Sequence, residues 1–312
     1  MRAVVFERNG GPEVLESKEL PDPQPSPGHV LVEIEAVGVN FRDVYEREGR
    51  NYGSRPPAII GVEGAGRIAG SGERVAWVDV PGSYAQKAAA DPKKLVPVPD
   101  GISAEVAAAV LLQGMTAHYL SHQSYPVQPG DWVIVHAGAG GVGLLLTQIV
   151  KLAGGRVIAT TSSDEKAELA PAAGADHVLG YKGFAEHARE ITSGDGVAAV
   201  YDGVGKTTFY EGLRALRPCG RMIVYGAASG QPDPLPVQQL AGLGSLYVQR
   251  PTLHTYTRTP ELLRELAGEV FLLVGQGALQ VRIGARYPLA EARQAHLDLE
   301  GRHTTGKVLL LP

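Results

Sequence analysis

The residues His136-Ala137-Gly138-Ala139-Gly140-Gly141-Val142-Gly143 have the types and spacing of a backbone cradle for phosphate. Gly138, Gly140 and Gly143 follow the G-x-G-x-x-G pattern. In it, one glycine permits a tight turn, one lets a pyrophosphate approach the backbone, and one lets a helix pack close to a strand. Gly141 and Val142 lie where such a helix begins and its first N–H groups face an anion. The chemistry implied is dinucleotide binding. A purely structural glycine turn can carry the same letters, so the flanking sequence decides. Trp132–Val135 reads as a strand and the apolar stretch 144–152 as a helix, which is the context the pattern requires.

An NAD site places Asp or Glu about 20 residues past the glycines, at the end of the second strand, for the ribose hydroxyls. Here that strand ends Ala159-Thr160-Thr161-Ser162-Ser163, with no carboxylate. Asp164 and Glu165 come later and read as first-turn helix residues favoured by the helix dipole. Ser162 and Lys166 could instead hold a 2′-phosphate through charge-assisted hydrogen bonds, which favours NADPH over NADH. The alternative makes Ser162 or Ser163 a helix N-cap and Lys166 a solvated charge. Cys219 is the only cysteine, which excludes an internal disulfide framework and a cysteine-rich zinc cluster. Its side chain reads as a small apolar filler near a turn or, alternatively, as a reactive thiol.

The elements that must position these groups fall into two rhythms. From residue 1 to about 113, short alternating segments such as the stretch 30–37 are broken by Pro and Gly, the pattern of mostly antiparallel β-structure. Stretch 21–28, with four prolines, reads as a stiff connector. Strand-like runs at 132–136, 156–161, 177–179, 198–202, 221–225 and 245–248 then alternate with helical patterns. The result predicted is an α/β domain with a six-stranded, doubly wound parallel sheet whose ligand lies at the carboxyl ends of the strands. The tail holds helical runs at 260–274 and 290–300 and strands at 286–289 and 307–311, too little for a domain of its own. The expected organisation is a β-rich domain of residues 1–113 and 251–312, with the nucleotide domain, residues 114–250, inserted in it.

A chain of 312 residues, 44% hydrophobic and 20% charged, suits two globular cores and excludes a largely disordered protein. Net charge is −4 and no dense Lys/Arg run is present, so nucleic acid and anionic membranes are not expected as partners. The N-terminus enters a strand-like run directly, without the features of a signal peptide, and no apolar stretch approaches the ~20 residues of a membrane span. A cytoplasmic protein acting on a small molecule is expected.

Five segments together resemble the zinc-free quinone oxidoreductases of the medium-chain dehydrogenase/reductase superfamily, the ζ-crystallin-like branch. They are Asn9-Gly10-Gly11-Pro12-Glu13-Val14-Leu15, Gly38-Val39-Asn40-Phe41-Arg42-Asp43-Val44-Tyr45, the glycine turn with His136, Tyr201-Asp202-Gly203-Val204-Gly205, and the stretch 244–251. The resemblance implies a Rossmann domain inserted in a GroES-like β-rich catalytic domain. Zinc-dependent relatives carry an early cysteine and a Gly-His-Glu segment; here Asn40 stands in the region of the first ligand and Val62 where that histidine would be. Glu63, beside it, reads as a structural acceptor rather than a catalytic group. The stretch 68–75 is shorter than the family pattern, which leaves substrate preference less defined than the cofactor.

Carried over residue by residue, the resemblance implies that Asn40, Asp43 and Tyr45 lie at the mouth of the nicotinamide cleft. Tyr45 would donate to the developing oxyanion, Asn40 would position cofactor ribose or substrate, and Asp43 would be an orienting acceptor. The alternative for Tyr45 is an amphipathic rim residue satisfied by water; Tyr52 is a weaker candidate for the same role. Thr116 would sit beside the nicotinamide, with Tyr225, Gly226 and Ser229 on a loop over it. Lys166, Tyr181 and Arg302 would surround the 2′-phosphate, although an arginine beside Gly301 and His303 also suits a plain surface position.

The activity implied is metal-free reduction of a quinone or other conjugated carbonyl by NADPH, since conjugation spreads the charge that zinc would otherwise hold on one oxygen. Hydride and single-electron routes both fit these residues. An enoyl or alkenal reductase, and a non-catalytic NADPH-binding structural or RNA-binding protein, are the rival readings. The absence of an aromatic and basic platform weighs against RNA. Segment 245–248 would leave an apolar sheet edge, and the resemblance implies a homodimer paired there.

Overall fold

The computed structural model describes residues 1–50 and 53–312; Tyr52 lies outside them. The chain forms two compact units, Met1–Met115 with Thr257–Pro312, and Thr116–Tyr256. Tyr256 belongs to the second unit because its ring stacks on Tyr119 at 4.1 Å between centroids and its hydroxyl meets Ser124 Oγ at 3.1 Å.

The second unit is built on six parallel strands in the order His177–Leu179, Arg156–Thr160, Trp132–Val135, Val197–Asp202, Leu216–Val224 and Tyr247–Gln249. This is the doubly wound arrangement, whose order reverses between Trp132–Val135 and Val197–Asp202. Val133, Ile134 and Val135 are fully enclosed, as is the whole of Val197–Asp202. Each such aliphatic side chain contributes about 1.5–3 kcal/mol on burial, so continuous apolar runs, rather than alternating ones, mark these central strands. The last strand starts two residues later than the segment 245–248, because Ser245 takes a left-handed conformation (φ 57) and Leu246 turns into the core. Cys219 departs from expectation more clearly. It is exposed, at a left-handed turn (φ 58) within Leu216–Val224 where its N–H donates to Gly244 O at 2.8 Å, so it fills no apolar space.

The first unit holds a seven-stranded sheet in the order Ile283–Pro288, Lys307–Leu311, Val30–Val39, Gly64–Ile68, Arg74–Trp77 and Val96–Pro97, with Lys87–Ala90 also paired to Val30–Val39. All pairs but the first are antiparallel. A smaller sheet joins Leu15–Glu19, Arg2–Phe6 and Ala58–Ile59. Phe6, Val32, Trp77, Tyr84, Leu289 and Leu310 belong to one core. Trp77 is accommodated there because its indole N–H donates to Ser83 Oγ at 2.9 Å. Four helices matter below: α1 (Phe41–Arg47), α2 (Ala104–Tyr119), α3 (Gly141–Leu152) and α4 (Ala292–Glu300). Among the described residues no helix is long and apolar enough to cross a membrane.

Gly143 shows how tightly the turn before α3 is drawn. A Cβ there would stand 2.3 Å from Ala137 O and 2.9 Å from Gly138 Cα, both backbone atoms that cannot swing away. Gly143→Ala is expected to destabilise the protein by about 1–3 kcal/mol through overpacking. Urea unfolding measures this, and a midpoint equal to wild type would contradict it.

Candidate active site

The glycine turn lies at the carboxyl end of Trp132–Val135, beside the reversal of strand order. Gly138 N–H donates to Thr160 O at 2.9 Å, pinning the turn to the second strand, and Ala137 is held in a left-handed conformation (φ 53) that a non-glycine residue adopts at a cost. Gly140 is the N-cap of α3 and offers no side-chain cap, so the first-turn N–H groups at Gly141, Val142 and Gly143 are left for a ligand. Tyr181 reaches the same turn, its hydroxyl oxygen accepting from Ala137 N–H at 3.2 Å. His136 is buried, its Nδ1 2.7 Å from Thr160 Oγ1. Burial holds its imidazole below the usual range against an opposing pull from Asp202, so it supports the turn as a neutral group. These features fit a dinucleotide.

The second strand resolves Ser162 from Ser163. Ser163 is the N-cap of the helix Asp164–Ala167, accepting from Lys166 N–H at 3.4 Å, and Asp164 and Glu165 occupy the first turn as expected; Ser162 is exposed. At the ends of the next two strands, Asp202 accepts from Val204 N–H (2.7 Å), Gly205 N–H (2.9 Å) and Thr208 Oγ1, which shapes the loop facing Gly226. Ser229 turns inward there. Its hydroxyl donates to Val204 O at 2.8 Å and accepts from Thr207 N–H at 3.1 Å, so Ser229 builds the loop with its side chain. Thr116 lies buried on α2. A separate cavity of about 570 Å³, lined by Trp132, Arg156, Thr192 and Arg217 among others, opens at the amino-terminal edge of this sheet, the end away from the glycine turn.

In the first unit, strand register assembles a polar cluster from distant segments. Val308 pairs with Val39 on one side, and Gly64 with Val37 on the other, so Lys307, Asn40 and Glu63 meet at one end of the sheet. Lys307 Nζ donates to Glu63 Oε2 (2.5 Å), Asn40 Oδ1 (2.9 Å) and Gln113 Oε1 (3.0 Å). Asn40 Nδ2 donates to Glu63 Oε2 (2.8 Å) and Gly38 O (3.1 Å), while Gln113 Nε2 donates to Asn40 Oδ1 (2.7 Å). Glu63 Oε1 accepts from Leu112 N–H at 2.9 Å. Gly38 makes room for the carboxylate, since a Cβ there would stand 2.3 Å from Glu63 Oε2.

Asn40 and Asp43, which the resemblance assigns to the nicotinamide side, are both buried and committed to this internal network. Both donors and both lone pairs of the Asn40 amide are engaged by protein partners. Asp43 is fully enclosed, its Oδ2 accepting from Asn40 N–H (2.9 Å) and Tyr84 Oη (3.0 Å), so it orients α1 from within. Glu63 is a structural acceptor, as its sequence suggested. Tyr45, on the same helix, is only partly buried, with the Arg50 guanidinium 5.6 Å from its ring centroid. Arg302 follows α4 in a left-handed conformation (φ 59), its N–H donating to Leu299 O at 3.2 Å.

Tyr84, His296 and Arg47 extend the cluster, and no local pattern marks them. Arg47 Nη1 lies 3.1 Å from His296 Nδ1, and an arginine can only donate, so Nδ1 accepts and Nε2 carries the proton. That proton points to Tyr84 Oη at 3.1 Å, and Tyr84 passes its own to Asp43. Arg47 also grips Glu300 with two bonds, at 2.7 and 3.1 Å, and donates to Gly10 O. Burial, with the Arg47 charge, pushes His296 down to about 3; burial, only partly offset by Arg42, pushes Asp43 up to about 7. The Lys307 ammonium is likewise pushed below its ordinary range by burial, with Glu63 pulling it back.

The two extreme shifts act on stability with opposite sign. His296 is harder to protonate when folded, so its contribution is lost as pH falls from about 6.5 towards 3. Asp43 is easier to protonate when folded, so its contribution is present at low pH and lost as pH rises from about 4 to about 7. Asp43→Asn, which keeps an acceptor for Asn40 N–H and Tyr84, isolates the second effect. The stability of wild type relative to this variant is expected to fall between pH 4 and 7 by at most about 1.4 kcal/mol per pH unit. Urea titrations of both proteins across that range measure it, and parallel curves would refute the assignment.

Comparison with known proteins agrees with both halves of the chain. Residues 26–100 match the alcohol dehydrogenase GroES-like domain, and residues 141–268 match the family described as zinc-binding dehydrogenase. The donor set does not fit that metal. Asn40 is a saturated amide, Val62 has no donor, and the Glu63 carboxylate already holds the Lys307 ammonium. A quinone oxidoreductase of Pseudomonas aeruginosa is 41% identical, over 100% of this chain and 99% of its own. A 2-haloacrylate reductase of a Burkholderia species is 38% identical, over 99% and 98%. A mycobacterial protein solved in complex with NADPH superposes with a TM-score of 0.96 at 46% identity, covering all of both chains. On these findings the chain belongs to the quinone oxidoreductase branch of the medium-chain dehydrogenase/reductase superfamily.

Proposed function

We propose that this protein is an NADPH-dependent oxidoreductase that reduces quinones without a metal ion. The observation that carries the reading is the glycine turn before α3, followed by a second strand that ends in hydroxyls instead of a carboxylate. The similarity to an NADPH-bound mycobacterial structure and to a quinone oxidoreductase supports the same cofactor and substrate class. When bound, NADPH supplies the hydride. Gly141, Val142 and Gly143 are assigned to its pyrophosphate through first-turn N–H groups, Gly138 and Gly140 to the turn that lets it approach, their own N–H groups being bound to Thr160 O and Ala137 O, and Ser162, Lys166, Tyr181 and Arg302 to the 2′-phosphate. Gly226 belongs to the loop proposed to cover the nicotinamide, and Thr116 to the residues beside it.

On the substrate side, Tyr45 is the proposed donor to the oxygen that gains charge. A phenol is protonated at neutral pH, and a hydrogen bond aimed at a developing oxyanion stabilises the transition state more than the ground state. Asn40 and Asp43 act through α1, which carries Tyr45. A conjugated acceptor spreads the incoming charge over its ring and both oxygens, so one neutral donor can serve where a simple ketone calls for a Lewis acid. The 38% identical 2-haloacrylate reductase favours a second reading, reduction of an activated carbon–carbon double bond. A panel of quinones and 2-alkenals with NADPH separates the two. Quinone turnover with a primary isotope effect from 4-deuterated NADPH is expected; absence of quinone turnover would sink the first reading, and absence of the effect when chemistry limits the rate would rule out hydride transfer.

Among the described residues the strand Tyr247–Gln249 pairs only with Leu216–Val224, and Tyr247 (58%) and Val248 (39%) are exposed on it. An open edge with large apolar side chains invites a second strand, and pairing of two copies along it is the assembly proposed. Sedimentation at micromolar concentration should give a dimer, and Val248→Pro, which blocks strand pairing, should give a monomer. A monomeric wild type would contradict this. The compartment proposed is the cytoplasm, where a lone exposed thiol such as Cys219 stays reduced.

A further inference from the structure

Helix α1 has seven residues, and so short a helix has little stability of its own. What grips its ends sets its position. At the C-terminal end, Arg47 is bound to Glu300, His296 and Gly10. At the N-terminal end, Asn40 is held on every polar atom of its amide by Lys307, Gln113, Glu63 and Gly38.

The character of this second grip calls for an explanation beyond stability. Lys307 and Glu63 are 2% and 0% exposed in their side chains, and the neighbouring core residues Val37, Val39, Val308 and Leu310 are all apolar. Removing two charges from water is costly, and replacing a buried ion pair by well-packed apolar residues is often neutral or stabilising. An apolar side chain would therefore serve the core as well. It could not supply direction. Three ammonium donors, each committed to a different oxygen, hold the Asn40 amide in one rotamer and one flip state, and the start of α1 with it.

We infer that Lys307, paired with Glu63, is a positioning residue for the reaction: it fixes Asn40, and through Asn40 the direction in which α1 presents the Tyr45 phenol. The inference rests on the reading of Tyr45 as the donor to substrate. Because the ammonium and the carboxylate neutralise each other, the pair acts by geometry and adds no net charge. The cation also occupies the Glu63 carboxylate and the Asn40 carbonyl oxygen, so those two groups are withheld from any metal ion.

The test is the double variant Glu63→Gln/Lys307→Met, which removes both charges together at nearly constant volume and leaves neither buried alone. Its urea midpoint and its KM for NADPH are expected to match wild type, while kcat for quinone falls roughly tenfold to a hundredfold, the range for a group displaced by about 1 Å. Tyr45→Phe alone should lower kcat, and adding it to the double variant should cost little more. If Tyr45→Phe is slow and the double variant turns over at the wild-type rate, the positioning role is wrong while the Tyr45 reading stands. If Tyr45→Phe is as fast as wild type, the Tyr45 reading fails and this inference with it. Should the double variant not fold, Lys307→Arg keeps the cation but replaces a compact charge with a planar fork. Reduced kcat at unchanged NADPH KM in that variant supports the role, and an unchanged kcat overturns it.

Discussion

The contact on which the first unit turns is the buried ammonium of Lys307 against the Glu63 carboxylate. Two ions taken out of water are tolerable only when their remaining donors and acceptors are satisfied, and here they are. The three Lys307 protons go to Glu63, Asn40 and Gln113, and Glu63 takes further bonds from Asn40 and Leu112. That requirement fixes neighbours. Gly38 must be glycine to leave space for the carboxylate, Asn40 must present one amide orientation, and the strands ending at Val39 and beginning at Lys307 must pair in a single register.

From this point polar order runs through the interior of the unit. Asn40 N–H meets Asp43, Asp43 meets Tyr84, Tyr84 meets His296, and His296 meets Arg47, which reaches Glu300 near solvent. The donors are directional because an arginine at one end can only give protons and a carboxyl group at the other accepts them. A string with fixed polarity holds α1 along its whole length, at a cost in desolvation that appears as the opposed shifts of His296 and Asp43. The second unit is organised differently. Its strands are held by apolar burial, and at their carboxyl ends His136, Thr160 and Asp202 shape the loops. Backbone amides there do what side chains do in the first unit.

The zinc-binding label of the matching family and the chemistry of this chain are reconciled by the same cluster. Where metal-dependent relatives gather ligands, Asn40 and Val62 replace the expected donors and Lys307 places a cation of the protein's own against Glu63. A fold can keep its architecture while the group at its centre changes, because the strands that bring residues 40, 63 and 307 together are set by the surrounding core rather than by a metal.

Local sequence alone determined the doubly wound sheet, the glycine turn and the split of Ser162 and Ser163 from Asp164 and Glu165, because each rests on periodicity or on a motif within a few residues. It also determined that the ordinary zinc ligands are missing, since that is a matter of residue type. It could not show that the Asn40 amide is saturated, that Asp43 is enclosed, that Ser229 spends its hydroxyl on its own loop, or that Cys219 points outward. Lys307 read only as the first residue of a terminal strand, and Arg47, Tyr84 and His296 read as nothing in particular. Tertiary structure decided these, for one physical reason: a hydrogen bond between residues 40 and 307 depends on strand register and on the exclusion of water, and neither is encoded in the neighbours of either residue along the chain.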